Sequence, residues 1–501
     1  MGVSFNGNPQ TVKSEAQQFF ELLVSTLYGK DSFYESTDEK AKRLYQTIDT
    51  LVKADKLDFI ANSLVYAREH MMIRNMPVVG CVYFAKALRL NQKTFPQLRK
   101  LVATLIQRAD QITDFYAVAL EVFGTKGKVP MAIKRGVSDA FNKFGEYHFA
   151  KYNRPTGVKF RDVMRIVHPD PASDKQSEIF KKILEDALAV PYTWETELSI
   201  NGQKPKEDQK TKTELWSELV LSGKIGYMAL LRNLRNILAA DVGEDIVAQV
   251  AKNISNPIAV EKSKQFPFAF LKAYNSVEQD SPAAIRYAIS DALDLSVKNV
   301  PSIGKNVWVI LDGSGSMLGM YGGQYKSNGV LGDCPFTTAA LFAAALVKAN
   351  VGASNVAVTM FSDNAEHVIL DGRNSVLSMA QVLTGKVQGG GTNLAAALKL
   401  KHTLGFEPDT VVVLSDMEVD HLVVDRWDNP VHDKALNVAT LFSNGCLKIA
   451  VNIASNTTTP LPERHGFMQL SGFSEKIFQF IPEMRESGKT IEKLLSKPFA
   501  V

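Results

Sequence analysis

The sequence predicts two structural classes in one chain, an all-helical N-terminal part and an α/β C-terminal part. From residue 10 to about residue 295, apolar residues recur at helical spacing, as in Phe19, Leu23 and Leu27, and convincing strands are scarce. From residue 301 onward, short β-branched runs alternate with helical segments, which is the pattern of a doubly wound sheet. We therefore expect a helical module over residues 1–300 and an α/β domain over residues 301–501.

Composition and the N-terminus narrow the class of protein. Apolar residues make up 45% and charged residues 22% of the 501, as in folded globular proteins. Three cysteines lie far apart and predict neither a disulfide framework nor a zinc cluster, which favours a reducing compartment. The N-terminus lacks the pattern of a signal peptide, and the richest apolar run, residues 339–347, is too short to span a bilayer. We expect a cytoplasmic protein with no membrane partner.

Short helices are predicted throughout the N-terminal module. Leu98, Leu101 and Leu105 share one helical face, and Ser173 followed by Gln176 has the spacing of a capping box. Prolines interrupt the region at short intervals and break longer helices. This pattern is typical of an α-solenoid of the HEAT or armadillo type, and a plain helical bundle is the alternative.

The first strand of the α/β domain ends in a cluster of oxygen-bearing side chains. Residues 307–311, Val-Trp-Val-Ile-Leu, predict a buried strand, and Asp312, Ser314 and Ser316 follow it at alternate positions. The intervening glycines allow a tight turn because they carry no β-carbon. Such a loop offers one carboxylate and two hydroxyls to a cation.

Two later loops carry matching side chains. Thr392 follows three consecutive glycines, and Asp416 lies just beyond the apolar strand predicted over residues 411–414. The carboxyl ends of strands in an open parallel sheet collect ligands, so the three loops are expected to meet. Hard oxygen ligands suit Mg²⁺, or alternatively Mn²⁺. The predicted metal ligands are Asp312, Ser314, Ser316, Thr392 and Asp416.

A basic patch lies within the helical module. Residues 126–165 contain ten basic and three acidic side chains, an excess of seven, whereas the net charge of the whole chain is +4. Tyr147, Tyr152 and Phe160 are interleaved and could stack on unpaired bases while the cations meet phosphates. A solvated helix face is the alternative. The candidate RNA-contacting residues here are Lys134, Arg135, Lys151, Arg154, Arg161, Arg165 and His168.

Several stretches resemble one known family. The most specific is Met-Ala-Leu-Leu-Arg-Asn-Leu at residues 228–234, ahead of the Asp312 loop. Together these stretches resemble the TROVE module of Ro-type RNA-binding proteins, which carry a von Willebrand factor A domain after it. The five predicted metal ligands likewise resemble the metal-ion-dependent adhesion site of A domains. The other matching stretches are residues 151–168, 215–219, 266–274 and 288–293.

The resemblance implies a fold and a function. It implies a monomeric ring of HEAT-like helical repeats closed by the Rossmann-like A domain. Small noncoding Y-like RNA would bind the basic outer surface, where Lys151, Arg154 and His168 match contact positions. Single-stranded 3′ ends of misfolded RNA would enter the hole, near Arg232 and Asn233. An exoribonuclease or another protein would supply an acidic ligand to the metal.

Three functional hypotheses follow. The preferred one is a non-catalytic RNA-binding protein with a role in RNA quality control or as a ribonucleoprotein scaffold. The second is a metal-dependent protein-interaction or assembly factor, in which RNA binding is incidental. The third is a metal-dependent hydrolase, although aspartyl phosphatases need a second Asp where Ser314 stands, and the glycines before Thr392 lack the Lys of a P-loop.

Overall fold

The computed structural model describes most of the chain and divides it into two compact units. A helical unit lies within Ser14–Asp31, Glu35–Ser199 and Lys489–Val501, and a mixed unit lies within Met1–Lys13, Ser32–Tyr34 and Ile200–Gly488. The domain boundary predicted near residue 300 stays a prediction. The described residues are 2–3, 9–24, 37–124, 128–153, 157–277, 281–318, 334–352, 354–387, 389–419, 438–453, 458–471, 481 and 495–500.

Short helices build the helical unit, as predicted. Helix α2 packs on α4 and α4 on α6, while α3 packs on α5 and α5 on α7, so alternate helices form two layers. This pairing is the arrangement of an α-solenoid and confirms the HEAT-like prediction. The helices are α1 Glu15–Val24, α2 Thr37–Lys53, α3 Leu57–Glu69, α4 Met76–Leu90, α5 Leu98–Leu105, α6 Asp110–Phe123, α7 Met131–Phe141, α8 Glu146–Tyr152, α9 Phe160–Val167, α10 Asp174–Leu184 and α11 Trp194–Gln203.

The predicted capping box at α10 forms only in part. The Ser173 side chain accepts a hydrogen bond from the Gln176 backbone N–H at 3.2 Å. The Gln176 side chain does not return this bond to the cap, because its Nε2 donates to the Phe141 and Phe144 carbonyls at 3.1 Å each. Gln176 therefore joins α10 to the C-terminal end of α7, a tertiary contact that local spacing does not encode.

Within the described residues of the mixed unit, seven further helices precede the α/β part. Helices α15, α16 and α17 all pack on α18, and α18 also contacts a helix of the α/β part. The Lys348 Nζ lies 3.0 Å from the Asp294 carboxylate, which also accepts the Val376 backbone N–H at 2.8 Å. These helices are α12 Lys212–Leu221, α13 Tyr227–Arg232, α14 Leu234–Leu238, α15 Glu244–Ile254, α16 Pro257–Ser263, α17 Pro267–Ser276 and α18 Ala283–Ser296.

A six-stranded sheet forms the α/β part, in the order β5-β4-β3-β6-β7-β9. All neighbouring strands are parallel except the β4–β5 pair. A separate small sheet has the order β1-β2-β8. The strands are β1 Gly2–Val3, β2 Pro9–Val12, β3 Asn306–Asp312, β4 Asn355–Phe361, β5 Ala365–Val368, β6 Thr410–Ser415, β7 Leu447–Asn452, β8 Thr458–Thr459 and β9 Phe467–Ser471.

Helices cover both faces of this sheet, as the doubly wound prediction requires. Trp308 and Ile310 of β3 lie in one core cluster with residues of α21 and α22, and α19 also packs on β3. Burial on both faces explains the continuous apolar run that predicted the strand. Among the described residues, no helix is both long and apolar enough to cross a membrane. The helices are α19 Pro335–Ala349, α20 Val376–Lys386, α21 Leu394–Lys399 and α22 Val438–Leu441.

Candidate functional site

The Asp312 carboxylate stabilises the loop after β3 through hydrogen bonds. Asp312 is fully buried, and its Oδ1 accepts the Ser314 backbone N–H at 2.9 Å. Its Oδ2 accepts the hydroxyl of Ser415, the last residue of the neighbouring strand β6, at 2.5 Å. The hydroxyl oxygens of Ser314 and Ser316 lie 3.2 Å apart. The predicted carboxylate and both hydroxyls therefore share one tight turn.

Two other loops meet this turn at the carboxyl edge of the sheet. The Gly315 backbone N–H donates to the Gly390 carbonyl at 3.1 Å, which brings the glycine loop and Thr392 alongside. Asp416 follows β6, next to β3, and its Oδ1 accepts the Glu418 backbone N–H at 3.2 Å. Thr392 and Asp416 are 4% and 3% exposed, so both lie within the protein rather than on its surface.

The electrostatics of this edge favour a cation. Burial, and then the nearby Asp416 carboxylate, raise the pKa of Asp312 to about 7, although hydrogen bonds from Ser314 and Ser415 oppose the shift. Two buried carboxylates that repel each other are stabilised when a divalent ion lies between them. The described residues contain no cluster of three or more His, Cys, Asp or Glu side chains suited to a metal. The donors here are two carboxylates with hydroxyls, which fit Mg²⁺ or Mn²⁺.

Two residues that hydrogen-bond to the loops of the predicted metal ligands were not identified from the sequence. Ser415 orients Asp312, and Asp363 of the β4–β5 turn accepts the Gly391 backbone N–H at 3.0 Å. Each stands at or just beyond the end of a strand that neighbours β3. A polar residue at such a position is the signal that would have identified both.

An open cleft between α9 and α10 adjoins the basic patch. Arg165 and His168, both predicted RNA contacts, line it together with Lys181, a residue missed because it lies outside the densest basic run. Its volume is about 780 Å³, and apolar atoms of Met164 and Phe180 form part of its wall. The other lining residues are Pro169, Asp170, Pro171, Ser177, Leu184 and Glu185.

The mouth of this cleft is held in place by hydrogen bonds. Asn142, which caps the end of α7, donates from Nδ2 to the Asp170 carbonyl at 2.8 Å and accepts the Ala172 N–H at 2.9 Å. His168 ends α9 in the left-handed conformation, with φ of 46°. The loop that carries His168 is therefore attached to α7, and the cleft has a defined shape before any ligand binds.

The other predicted basic residues differ in their surroundings. Arg135 is exposed on α7, and Lys134 beside it is half-buried. The Lys151 ammonium lies 5.6 Å from the centre of the Tyr152 ring. Arg161 forms an ion pair with Asp186, since its Nη1 lies 3.6 Å from Asp186 Oδ2. Arg154 lies outside the described residues.

The aromatic residues of the patch do not all face solvent. Tyr147 is 54% exposed and can present a ring, whereas Phe160 is 1% exposed and packs edge-on against Phe149 at 5.2 Å. The expectation that Phe160 stacks on bases is wrong, because the ring belongs to the core. The Tyr152 hydroxyl accepts a hydrogen bond from Arg108 at 2.9 Å, so this side chain also has an internal partner.

Arg232 and Asn233 have opposite environments. Arg232 is exposed, while Asn233 is 3% exposed at the break between α13 and α14. Asn233 Nδ2 donates to the Ala229 carbonyl at 2.9 Å, and its Oδ1 accepts Asn236 Nδ2 at 3.0 Å. The Asn233 side chain thus stabilises the break between α13 and α14, directly after Arg232.

Two family models match the chain. The model of the TROVE domain matches residues 8–190 and 185–286, and that of the von Willebrand factor type A domain matches residues 307–418. Together the two TROVE segments span more than half of the sequence. The type A match contains all five predicted metal ligands.

Individual proteins also match. Telomerase protein component 1 of Mus musculus is 37% identical over 356 residues and that of Rattus norvegicus 20%, each covering 54% of this chain. The chain spans only 13% of the length of these two relatives. Among solved structures, the Ro (RSR) protein of Deinococcus radiodurans superposes with a TM-score of 0.62 at 17% identity, over 95% of this chain and all of the other. At that identity, the match shows a shared fold.

Proposed function

Because this chain belongs to the TROVE-domain family and carries a von Willebrand factor type A domain, we propose that it is a non-catalytic RNA-binding protein. Binding of RNA is the property associated with TROVE and Ro proteins. Beyond that, the proposal is that a structured noncoding RNA of the Y type binds the basic patch of the helical unit. Single-stranded 3′ ends of misfolded RNA are the second proposed ligand. Such a protein would serve RNA quality control or the assembly of ribonucleoproteins.

The observation that carries this proposal is the cleft between α9 and α10. Arg165, His168 and Lys181 line it together with apolar side chains, among them Met164 and Phe180. Cationic groups bind phosphates, and an apolar wall accommodates an unpaired base, so the lining suits a nucleotide of a folded RNA. Asp170 and Glu185 in the same lining balance the charges of Arg165 and Lys181, and Glu185 Oε1 lies 4.0 Å from Lys181 Nζ. Both carboxylates can accept hydrogen bonds from the amino groups of bases.

Charge removal in the cleft tests this proposal. In the Arg165→Gln/Lys181→Gln variant, RNA affinity should fall, and the slope of log affinity against log salt should decrease by about 2, or about 1 for each lost phosphate contact. The control is Lys204→Gln/Lys206→Gln, which removes the same charge from an exposed polar segment. If both variants bind a 3′-tailed structured RNA equally well in gel shifts, the cleft is not the RNA site.

We also propose that the edge formed by Asp312, Ser314, Ser316, Thr392 and Asp416 holds Mg²⁺ or Mn²⁺. The supporting observation is that Asp312, Thr392 and Asp416 are all buried at this edge, where the hydroxyl oxygens of Ser314 and Ser316 lie 3.2 Å apart. When bound, the ion would offer a coordination position to an acidic residue of a partner protein, such as an exoribonuclease. Ser415 and the Ser314 backbone orient Asp312 toward this edge.

A metal-dependent interaction factor is the second candidate function, and the same buried edge favours it. The two functions separate experimentally. Asp312→Ala should abolish Mn²⁺ binding and leave RNA affinity unchanged if RNA binds the helical unit alone. Loss of RNA affinity in this variant, with the fold retained, would place RNA at the A domain instead. Turnover of a phosphoester in Mg²⁺ that disappears with Asp312→Ala would establish the hydrolase hypothesis.

A further inference from the structure

The glycine loop that carries Thr392 is attached to the turn between β4 and β5. The Gly391 backbone N–H donates to Asp363 Oδ1 at 3.0 Å, and the Asn393 backbone N–H donates to the Ser362 carbonyl at 2.7 Å. Asn393 Nδ2 reaches the Asp363 carbonyl at 3.3 Å. Thr392 therefore stands between two residues that are both bonded to this turn.

Close approach of the two loops requires a glycine. Gly390 has φ of +96°, and a β-carbon at this position would lie 2.3 Å from Asp363 Oδ2. The Gly390 carbonyl in turn accepts the Gly315 N–H of the Asp312 loop at 3.1 Å. The β4–β5 turn, the glycine loop and the Asp312 loop are thus linked in series by backbone hydrogen bonds.

A second link joins the same strands directly. The Gly313 N–H donates to the carbonyl of Phe361, the last residue of β4, at 2.7 Å. Without Asp363, this bond would still hold the Asp312 loop to β4, but the Gly391 amide would lose its carboxylate acceptor. Removal of the Asp363 side chain should therefore disturb Thr392 more than Asp312.

We propose that Asp363 is a positioning residue for the metal site: its carboxylate holds the Gly391 amide and thereby places the Thr392 hydroxyl for the divalent ion. This inference rests on the metal site proposed above. Asp363 acts here through its hydrogen bond and not as a metal ligand. Partners of this kind orient ligands, and their removal typically weakens metal binding by about 10-fold to 100-fold.

Two substitutions at one position separate hydrogen bonding from charge. Asp363→Asn keeps an oxygen acceptor for Gly391, so Mn²⁺ affinity should stay within about twofold of the wild type. Asp363→Ala removes the acceptor and should weaken Mn²⁺ binding about tenfold. The matched control is Asp371→Ala, which removes an exposed carboxylate of the same domain that pairs with Arg373.

Affinity is measured on the full chain by Mn²⁺ electron paramagnetic resonance, which follows the signal of the free ion. Thermal unfolding in EDTA checks that each variant folds. If Asp363→Ala does not fold, the Mn²⁺ affinity of Asp363→Asn still tests the proposal. Equal weakening by Asn and Ala would overturn the positioning role in favour of a direct charge effect. An Ala variant that binds as the wild type does would also overturn it. Failure of the wild type to bind Mn²⁺ would remove the metal site itself and the inference with it.

Discussion

Neutralising Asp312 should stabilise the metal-free protein, although the residue is a predicted metal ligand. Burial and Asp416 raise the pKa of its carboxyl from 3.8 to about 7. At neutral pH, ionisation of this carboxyl in the folded state therefore costs about 4 kcal/mol relative to the unfolded state. Asp312→Asn is nearly isosteric and removes this penalty. After a partial loss of the hydrogen bonds to Asp312, we expect a net gain of about 2 to 4 kcal/mol in EDTA.

The stability difference between Asp312→Asn and the wild type should depend on pH. The unfolded carboxyl ionises near pH 4 and the folded one near pH 7, so the penalty develops between these values as pH rises. Well below pH 4 the carboxyl is protonated in both states and the ionisation penalty vanishes. The variant should then be no more stable than the wild type, because only the partial loss of the hydrogen bonds to residue 312 remains. Saturating Mg²⁺ should reverse the order at pH 8, because only the wild type gains stability from the ion.

Hydrogen exchange of the β3 and β6 amides, followed by mass spectrometry, measures this local stability in a chain of two units. Asp371→Asn is the control for loss of a carboxylate, since this side chain is exposed. Faster exchange in Asp312→Asn than in the wild type, in EDTA at pH 8, would contradict this prediction. A difference between the two proteins as large at pH 4 as at pH 8 would contradict it as well.

Three further predictions concern single residues. Asn233→Ala should lower the free energy of unfolding by about 1 to 3 kcal/mol in urea titrations. Arg232→Gln should instead lower RNA affinity in gel shifts without changing stability. Loss of stability in Arg232→Gln and loss of RNA affinity in Asn233→Ala would contradict this assignment. Gly390→Ala should destabilise the A domain by about 2 kcal/mol or more, because residue 390 has a positive φ and its new β-carbon would clash with Asp363. The measurement is the melting temperature, which should fall. An unchanged melting temperature would contradict this prediction. Lys143→Met should lower the free energy of unfolding by about 2 kcal/mol, measured by thermal unfolding. The reason is that Lys143 Nζ donates to the Ala103 and Ile106 carbonyls at 2.8 Å each. Equal stability of the variant and the wild type would mean that water replaces these hydrogen bonds.

Much of the fold could be predicted because the controlling signals are local. The apolar run that ends at Asp312 is a buried strand because both faces of the sheet are covered, and the loops at the carboxyl edge then follow from parallel pairing. The short helices follow equally from apolar spacing interrupted by prolines. The ring implied by the family resemblance stays a prediction.

The features that the sequence did not predict depend on contacts between distant residues. Phe160 has the spacing of a surface aromatic within a basic patch, but Phe149 and the neighbouring helices bury it. Asp363 is an ordinary turn residue until the glycine loop lies against it. Lys181 joins Arg165 only because α10 packs on α9. Such partners are set by tertiary packing, which periodicity and spacing do not specify.

RNA binding itself is tested most directly by a gel-shift titration of the nuclease-treated protein against a structured RNA with a single-stranded 3′ tail. Tail-less RNA and duplex DNA are the controls, and each is measured at several salt concentrations. We predict tight binding that prefers the tailed RNA and weakens steeply as salt rises. Weak binding with no preference among the three nucleic acids would contradict an RNA-binding function and leave the A domain as the functional part of the chain.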